Sequence, residues 1–183
     1  MADIIKYSFD SIDEIAARLK RGEVGIFPCD TIYGICASAN EKNAERIYAI
    51  KNRPQSKRFI ILIDKEDLAT SPFIVPEELL SLWPNPLTMI VNTKTGDTQA
   101  LRVPSDPFLQ KLLPLSGPIF STSVNLSGSP SLLSFSSIIP VFENRVDFIV
   151  EKDDEESGMS STLVDVTKKP YRIIRQGAFK FNL

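Results

Sequence analysis

The sequence contains no histidine. That absence excludes every Ser–His–Asp and Cys–His nucleophile, every histidine-bearing zinc site and the usual near-neutral proton shuttle. Cysteine is scarce too: Cys29 and Cys36 cannot complete a four-cysteine zinc site, and their spacing matches no metal or redox motif. They read as reduced, partly buried thiols, which points to a cytoplasmic protein. The phosphate-cradling patterns GxxxxGK(S/T) and GxGxxG are both missing. No basic segment followed by an apolar one opens the chain at Met1–Lys6, so no signal peptide is expected. Nor is there a run near the ~20 apolar residues that a membrane span needs. The uncharged window Leu112–Phe142 is broken by nine serines and four prolines, so it reads as buried strand plus loop or as a ligand-receiving surface.

What is present suits one well-buried domain over residues 1–183, with 43% hydrophobic and 24% charged residues. A net charge of -2 and a pI near 5.3 argue against a chain that coats nucleic acid by bulk charge. Chemistry must therefore come from local charge, hydroxyls, amides and a metal carried in by a substrate.

Periodicity predicts the elements. Ser11 with Glu14 can cap a helix whose apolar face is Ile12, Ile15, Ala16 and Leu19, and Gly22 stops it. Val24–Pro28 reads as a strand, Cys29–Asn40 as a loop, and residues from about 41 to 51 as a second helix with Ala44, Ile47 and Ile50 inward. Strands are expected at Phe59–Ile63, Leu87–Val91, Ala100–Val103, Ile119–Thr122, Asp147–Val150, Thr162–Val166 and Tyr171–Ile174. A short helix follows Pro76, and a longer one runs from Asp106–Pro107 to Gly117. Ser121–Ser137 reads as a serine-rich loop and Glu151–Glu156 as a solvated acidic one. Early alternation of helix and strand, with strands dominating later, predicts an α/β domain on a mixed sheet.

Two local signals carry chemistry. Lys51-Asn52-Arg53-Pro54-Gln55-Ser56-Lys57-Arg58 packs four cations into eight residues with no acid among them, at a helix end. Such a group suits a polyphosphate, although cations at a helix C-terminus also serve simply to offset the dipole. Ser121-Thr122-Ser123-Val124-Asn125-Leu126-Ser127-Gly128-Ser129-Pro130-Ser131 places hydroxyls and an amide on a turn-rich segment after a strand, where an anion can be met by neutral donors, although an ordinary polar connection has the same composition. Weaker candidates are Asp30 and Thr31 at a strand end, Arg102 at another, and Ser160-Ser161-Thr162 entering a third.

In order, these segments resemble the YrdC-like family of L-threonylcarbamoyladenylate synthases, from about Gly22 to Phe179. The family's Pro-Thr-Glu-Thr-x-Tyr-Gly is similar to Pro28-Cys29-Asp30-Thr31-Ile32-Tyr33-Gly34, its Lys-x-Arg-Pro to Lys51-Asn52-Arg53-Pro54, and its Trp-Pro-Gly-Pro-Leu-Thr to Trp83-Pro84-Asn85-Pro86-Leu87-Thr88. Leu101-Arg102-Val103-Pro104, Ser121–Gly128 and Arg175-Gln176-Gly177 complete six matches in the family's order. Cys29, Asp30, Asn85 and the pair Arg58-Phe59 depart from the pattern. The Lys51–Arg53 and Ser123–Asn125 pairs are intact, which separates the chain from the sister YciO-like proteins.

The resemblance implies a twisted, open mixed sheet flanked by helices, of the short single-domain type. It implies formation of threonylcarbamoyl-AMP and pyrophosphate from L-threonine, bicarbonate and ATP. The product would serve threonylcarbamoylation of adenosine 37 in tRNA by separate transferase proteins. By similarity, Thr31, Arg102, Ser121 and Ser161 would hold threonine. Arg53, Lys57, Thr98, Ser123, Ser131 and Arg175 would contact ATP, and Lys51, Arg53, Ser123 and Asn125 would be the catalytic pairs. Mg²⁺ would enter through the ATP phosphates with no protein ligands of its own. Replacing Lys51 or Arg53 with alanine is then expected to lower turnover by orders of magnitude with the fold intact. The competing reading is a non-catalytic RNA- or nucleotide-binding module on the same fold, with the Lys51–Arg58 cluster as its patch.

Overall fold

The computed structural model describes residues 1–55, 58–152 and 158–182. Eleven strands and five α-helices form among them, with 3₁₀ turns at Phe9–Ser11 and Glu77–Leu82. The strands are β1 (Asp3–Lys6), β2 (Gly25–Pro28), β3 (Tyr33–Ser38), β4 (Ile60–Leu62), β5 (Phe73–Ile74), β6 (Leu87–Thr93), β7 (Thr98–Arg102), β8 (Ile119–Ser123), β9 (Phe148–Glu151), β10 (Thr162–Asp165) and β11 (Arg172–Arg175). The helices are α1 (Ile12–Lys20), α2 (Glu41–Lys51), α3 (Lys65–Thr70), α4 (Pro107–Ser116) and α5 (Phe135–Phe142). The strands join one sheet in the order β1-β9-β2-β3-β8-β4-β7-β6-β10-β11, with β5 beside β6. Pairings β1–β9, β2–β9, β4–β7 and β6–β10 are parallel, whereas β2–β3, β3–β8, β4–β8, β6–β7 and β10–β11 are antiparallel. The mixed α/β sheet expected from the sequence is the one observed.

Period-two alternation assigns the side chains to two layers. Phe27, Cys36, Phe148 and Val150 pack under α1 and α4 against Ile15, Leu19, Phe108 and Leu112. Their strand neighbours Ile26, Ile35, Ala37 and Ile149 face the other way, onto Ile47 of α2 and Ile138 and Phe142 of α5. A third cluster joins Leu87, Met89 and Val91 of β6 to Leu101, Val164 and Trp83. Both faces of the central strands are therefore buried, which is why those strands read as apolar runs.

Several local expectations are corrected. The loop predicted over Cys29–Asn40 contains β3, whose residues are all buried apart from Ser38 at its end. Helix α5 starts inside the serine-rich segment: Ser134 occupies its N-cap, and Ser137 Oγ accepts from the Ser134 N–H at 3.3 Å. Ser11 does not cap α1 with its side chain. It closes a preceding 3₁₀ turn instead, its hydroxyl donating to the Ser8 carbonyl at 2.7 Å. Most of the acidic run lies outside the described residues. Among the described residues, no helix is long and apolar enough to cross a membrane.

Candidate active site

The site grows from the end of α2. Asn40 caps that helix at its start, its side chain accepting from the Asn43 N–H at 2.9 Å. At the other end Asn52 adopts the left-handed conformation (φ 50°), which Asn tolerates better than most residues. The reversal separates its neighbours: Lys51 turns inward and is 1% exposed, while Arg53 turns onto a cavity wall.

Lys51 holds the segment after β8 from two directions. Its ammonium donates to the Ser123 carbonyl, to the Asn125 carbonyl at 2.9 Å and to Asn125 Oδ1 at 2.9 Å. Its own carbonyl accepts from the Ser127 N–H at 2.8 Å. Asn125 Oδ1 also accepts from Ser123 Oγ at 2.6 Å, while Asn125 Nδ2 donates to the Ser129 carbonyl at 2.7 Å. The two pairs singled out in the sequence thus form one network, with Ser123 as its member on the cavity wall.

Burial first, and then the charge of Arg53, pull the Lys51 ammonium down to about 8. A lysine with a lowered folded-state value holds fewer protons than the unfolded chain between pH 8 and its ordinary value of 10.5. Stability contributed through Lys51 therefore rises with pH across that window and is flat below it. Urea denaturation of the wild type and of Lys51→Met, followed from pH 7 to 10.5, should show the wild type gaining on the order of 3 kcal/mol relative to the variant. Over the same range the neutral amine keeps two N–H groups for three acceptors, so the loop loses a tether.

A cavity of about 610 Å³ opens between this loop and the sheet. Thr31, Arg53, Thr98, Arg102, Ser121, Ser123, Ser131, Ser161 and Arg175 all line it. Lys51 and Asn125 stand behind the wall, and Lys57 lies outside the described residues. Arg53 lies against the Phe59 ring, 5.4 Å from its centroid, and donates to Thr122 Oγ1 at 3.5 Å and to the Arg58 carbonyl at 3.1 Å. Burial lowers the values of both Arg53 and Arg175, the latter helped by the field of Arg102, yet guanidinium stays charged in proteins.

Asp30 does something the sequence did not indicate. Its Oδ1 accepts from the Ser105 N–H at 2.9 Å, the Asp106 N–H at 2.6 Å and the Ser105 hydroxyl at 3.2 Å. Its Oδ2 lies 3.7 Å from Arg102 Nε, and neither atom has a hydrogen-bond partner among the described residues. Asp30 is thus the buried counter-ion of Arg102 and an anchor for the start of α4, not a wall residue awaiting substrate. Thr88 was also missed as a contributor: wholly buried, its Oγ1 lies 2.8 Å from Ser161 Oγ and fixes that hydroxyl. It sits in the Trp83–Thr88 stretch, where position in a motif was the available signal. Cys29 and Cys36 are both buried free thiols, with sulfurs 3.7 Å apart, and burial pushes Cys36 well up.

Arg175 closes the far side by donating to the Ser161 carbonyl from Nε at 3.2 Å and from Nη2 at 2.9 Å. Gly177 makes that approach possible. Its N–H donates to Thr162 Oγ1 at 2.9 Å, and a Cβ there would stand 2.2 Å from the Ser160 carbonyl oxygen. Backbone cannot yield as a side chain can, so Gly177→Ala should cost about 2 kcal/mol of stability. The same change should move Arg175 on the cavity wall, and thermal unfolding of the variant would report the loss of stability.

An open α/β sheet whose cavity is walled by Arg53, Arg58, Arg102 and Arg175 and a belt of hydroxyls is suited to align small anionic ligands by charge. The profile of the Sua5/YciO/YrdC family, described as Telomere recombination, matches residues 17–177, and the chain belongs to that family. It is 34% identical over 178 residues to a threonylcarbamoyl-AMP synthase of Pyrococcus abyssi, covering 88% of this chain and 52% of the relative. With the synthase of Pseudoalteromonas translucida it shares 33% identity over 165 residues, 80% of this chain and 88% of the relative. The crystal structure of P. abyssi Sua5 complexed with L-threonine superposes with a TM-score of 0.86 at 30% identity, over 97% of this chain and 57% of that one. The chain thus spans about half the length of the archaeal relative and most of the bacterial one.

Proposed function

We propose that this chain is a threonylcarbamoyl-AMP synthase, joining L-threonine, bicarbonate and ATP into threonylcarbamoyl-AMP with release of pyrophosphate. The observation that carries the reading is the convergence, in one cavity, of every described residue assigned to threonine or to ATP. Curated relatives named for that activity, and a related structure that holds L-threonine, support it.

The chemistry fits the residues. Bicarbonate takes up a proton and loses water as carbon dioxide, threonine's amine adds to that carbon dioxide and gives up a proton to form a carbamate, and a carbamate oxygen attacks the α-phosphorus. The bond from that phosphorus to the β-bridging oxygen breaks, and pyrophosphate departs with the electron pair. Arg102, backed by Asp30, receives the threonine carboxylate, with Thr31, Ser121 and Ser161 supplying hydroxyls around it. Arg53 and Arg175, with Thr98, Ser123 and Ser131, face the nucleotide. Positioning and charge neutralisation supply most of the acceleration in such a transfer, so a protein without histidine is not handicapped. Lys51 and Asn125 act through Ser123 as positioning residues.

No group of three or more carboxylates and cysteines among the described residues could hold a metal ion, and Asp30 is committed to Ser105, Asp106 and Arg102. In this scheme Mg²⁺ arrives as part of the MgATP substrate, where it neutralises the phosphates. In this reading the product passes to threonylcarbamoyl-transferase proteins acting on tRNA, and the enzyme works in the cytoplasm. The arginines converge inside a cavity instead of tracking along a surface, which favours this reaction over a non-catalytic RNA-binding module.

The test is pyrophosphate release with ATP, Mg²⁺ and bicarbonate, with and without threonine. Threonine-dependent release is expected. Release that ignores threonine, or none at all alongside tight RNA binding, overturns the reading.

A further inference from the structure

Arg58 lies on the cavity wall with 54% of its side chain exposed, and it reaches across to the β6–β7 hairpin. Its guanidinium donates to Asp97 Oδ1 at 3.0 Å and to the Thr98 carbonyl. Because Thr98 also lines the cavity, this contact links two of its walls. The Arg58 carbonyl accepts from Arg53, so one backbone group couples the two arginine-bearing positions. The backbone of Asp97 is fixed independently of its carboxylate. Its N–H donates to Thr93 Oγ1 at 3.1 Å, and its carbonyl accepts from the Thr93 N–H at 2.8 Å. The Asp97 carboxylate thus contributes little to the turn, and its hydrogen bond goes to Arg58.

We propose that Arg58 is a phosphate-binding residue of this cavity, and that Asp97 clasps it until nucleotide enters. An ion pair between side chains this exposed, 54% and 64%, is weak and exchanges readily. A polyphosphate offers the guanidinium fork paired oxygens and more charge than one carboxylate does. On nucleotide entry the guanidinium leaves Asp97 for the phosphates, while the Arg58 backbone keeps its bond to Arg53. Asp97 therefore competes with the ligand for one side chain. This rests on the ATP reading above and adds to it both a residue and a competition.

The two partners consequently have opposite effects, which a structural pair would not show. ATP titrated calorimetrically into Arg58→Ala should bind about tenfold more weakly than into wild type. Into Asp97→Ala it should bind about threefold more tightly, and the double variant should match Arg58→Ala. If both single variants weaken binding, the pair is scaffolding and the clasp is overturned. If removing Asp97 tightens binding equally with and without Arg58, the carboxylate merely repels phosphate, and the clasp is overturned as well. Wild type that fails to bind ATP refutes the nucleotide reading itself. Wild type that binds ATP no better than Arg58→Ala refutes this inference alone.

Discussion

Arg102→Ala is expected to raise the threonine concentration for half-maximal pyrophosphate release by about a hundredfold, with a smaller loss in maximal rate. A charged pair to a carboxylate, made equally in the ground and transition states, is lost mainly as binding. The same change should destabilise the protein. Arg102 and Asp30 have side chains only 5% and 1% exposed, and removing the cation leaves a buried carboxylate oxygen without a counter-charge. Breaking such a pair costs about 3 kcal/mol. Adding Asp30→Asn to the Arg102→Ala background removes the orphaned charge, so it should restore much of the stability and none of the threonine affinity. Steady-state kinetics with threonine varied, together with urea denaturation of the three variants, separates the two effects. An unchanged threonine dependence in Arg102→Ala would remove Arg102 from the threonine site.

Lys51→Ala is the second large effect, and here the structure alters what the sequence led one to expect. Turnover should fall by about a thousandfold, because Ser123 and the loop behind it lose the group that aligns them. The fold should suffer as well: two half-buried carbonyls and Asn125 Oδ1 lose a charged donor, and the vacated space is that of a fully buried side chain. A loss of about 3 kcal/mol is expected. Arg53→Ala should behave differently, with a comparable fall in turnover and a near-native unfolding midpoint. Its guanidinium faces the cavity and leaves a hydroxyl and an already exposed carbonyl behind. Stability and rate measured on both variants check the contrast. Equal destabilisation by the two would contradict the inward and outward placement of Lys51 and Arg53 around Asn52.

That contrast also shows what could be read in advance. The 51–58 cluster announced itself by charge density alone, and the described residues assigned to substrates by motif order line one cavity. Sequence could not tell which cation faces the ligand, because that depends on the left-handed Asn52, a single backbone reversal with no pattern around it. Asp30 looked like a wall residue since a carboxylate at a strand end has no visible partner. Its partners Ser105 and Asp106 lie 75 and 76 positions away. Among the elements, α2 was legible because Ala44, Ile47 and Ile50 recur at helical spacing. Strand β3 was hidden because burial on both faces, with Gly34 and Cys36 in the run, erases the alternation that marks a half-buried strand. Helix α5 was hidden by serines before it and Pro140 within it, both of which usually signal loop. The strand order, with β8 between β3 and β4, is set by packing far apart in sequence and leaves no local trace.

Carbamate formation and adenylation are proposed to meet in this one cavity. Mass spectrometry of the reaction run with ¹³C-bicarbonate, threonine and MgATP tests it most directly. An adenylate whose mass includes threonine and a single ¹³C is expected, formed in step with pyrophosphate and lost in Arg102→Ala at low threonine. An adenylate without the label, or AMP and pyrophosphate with threonine left unmodified, would contradict it.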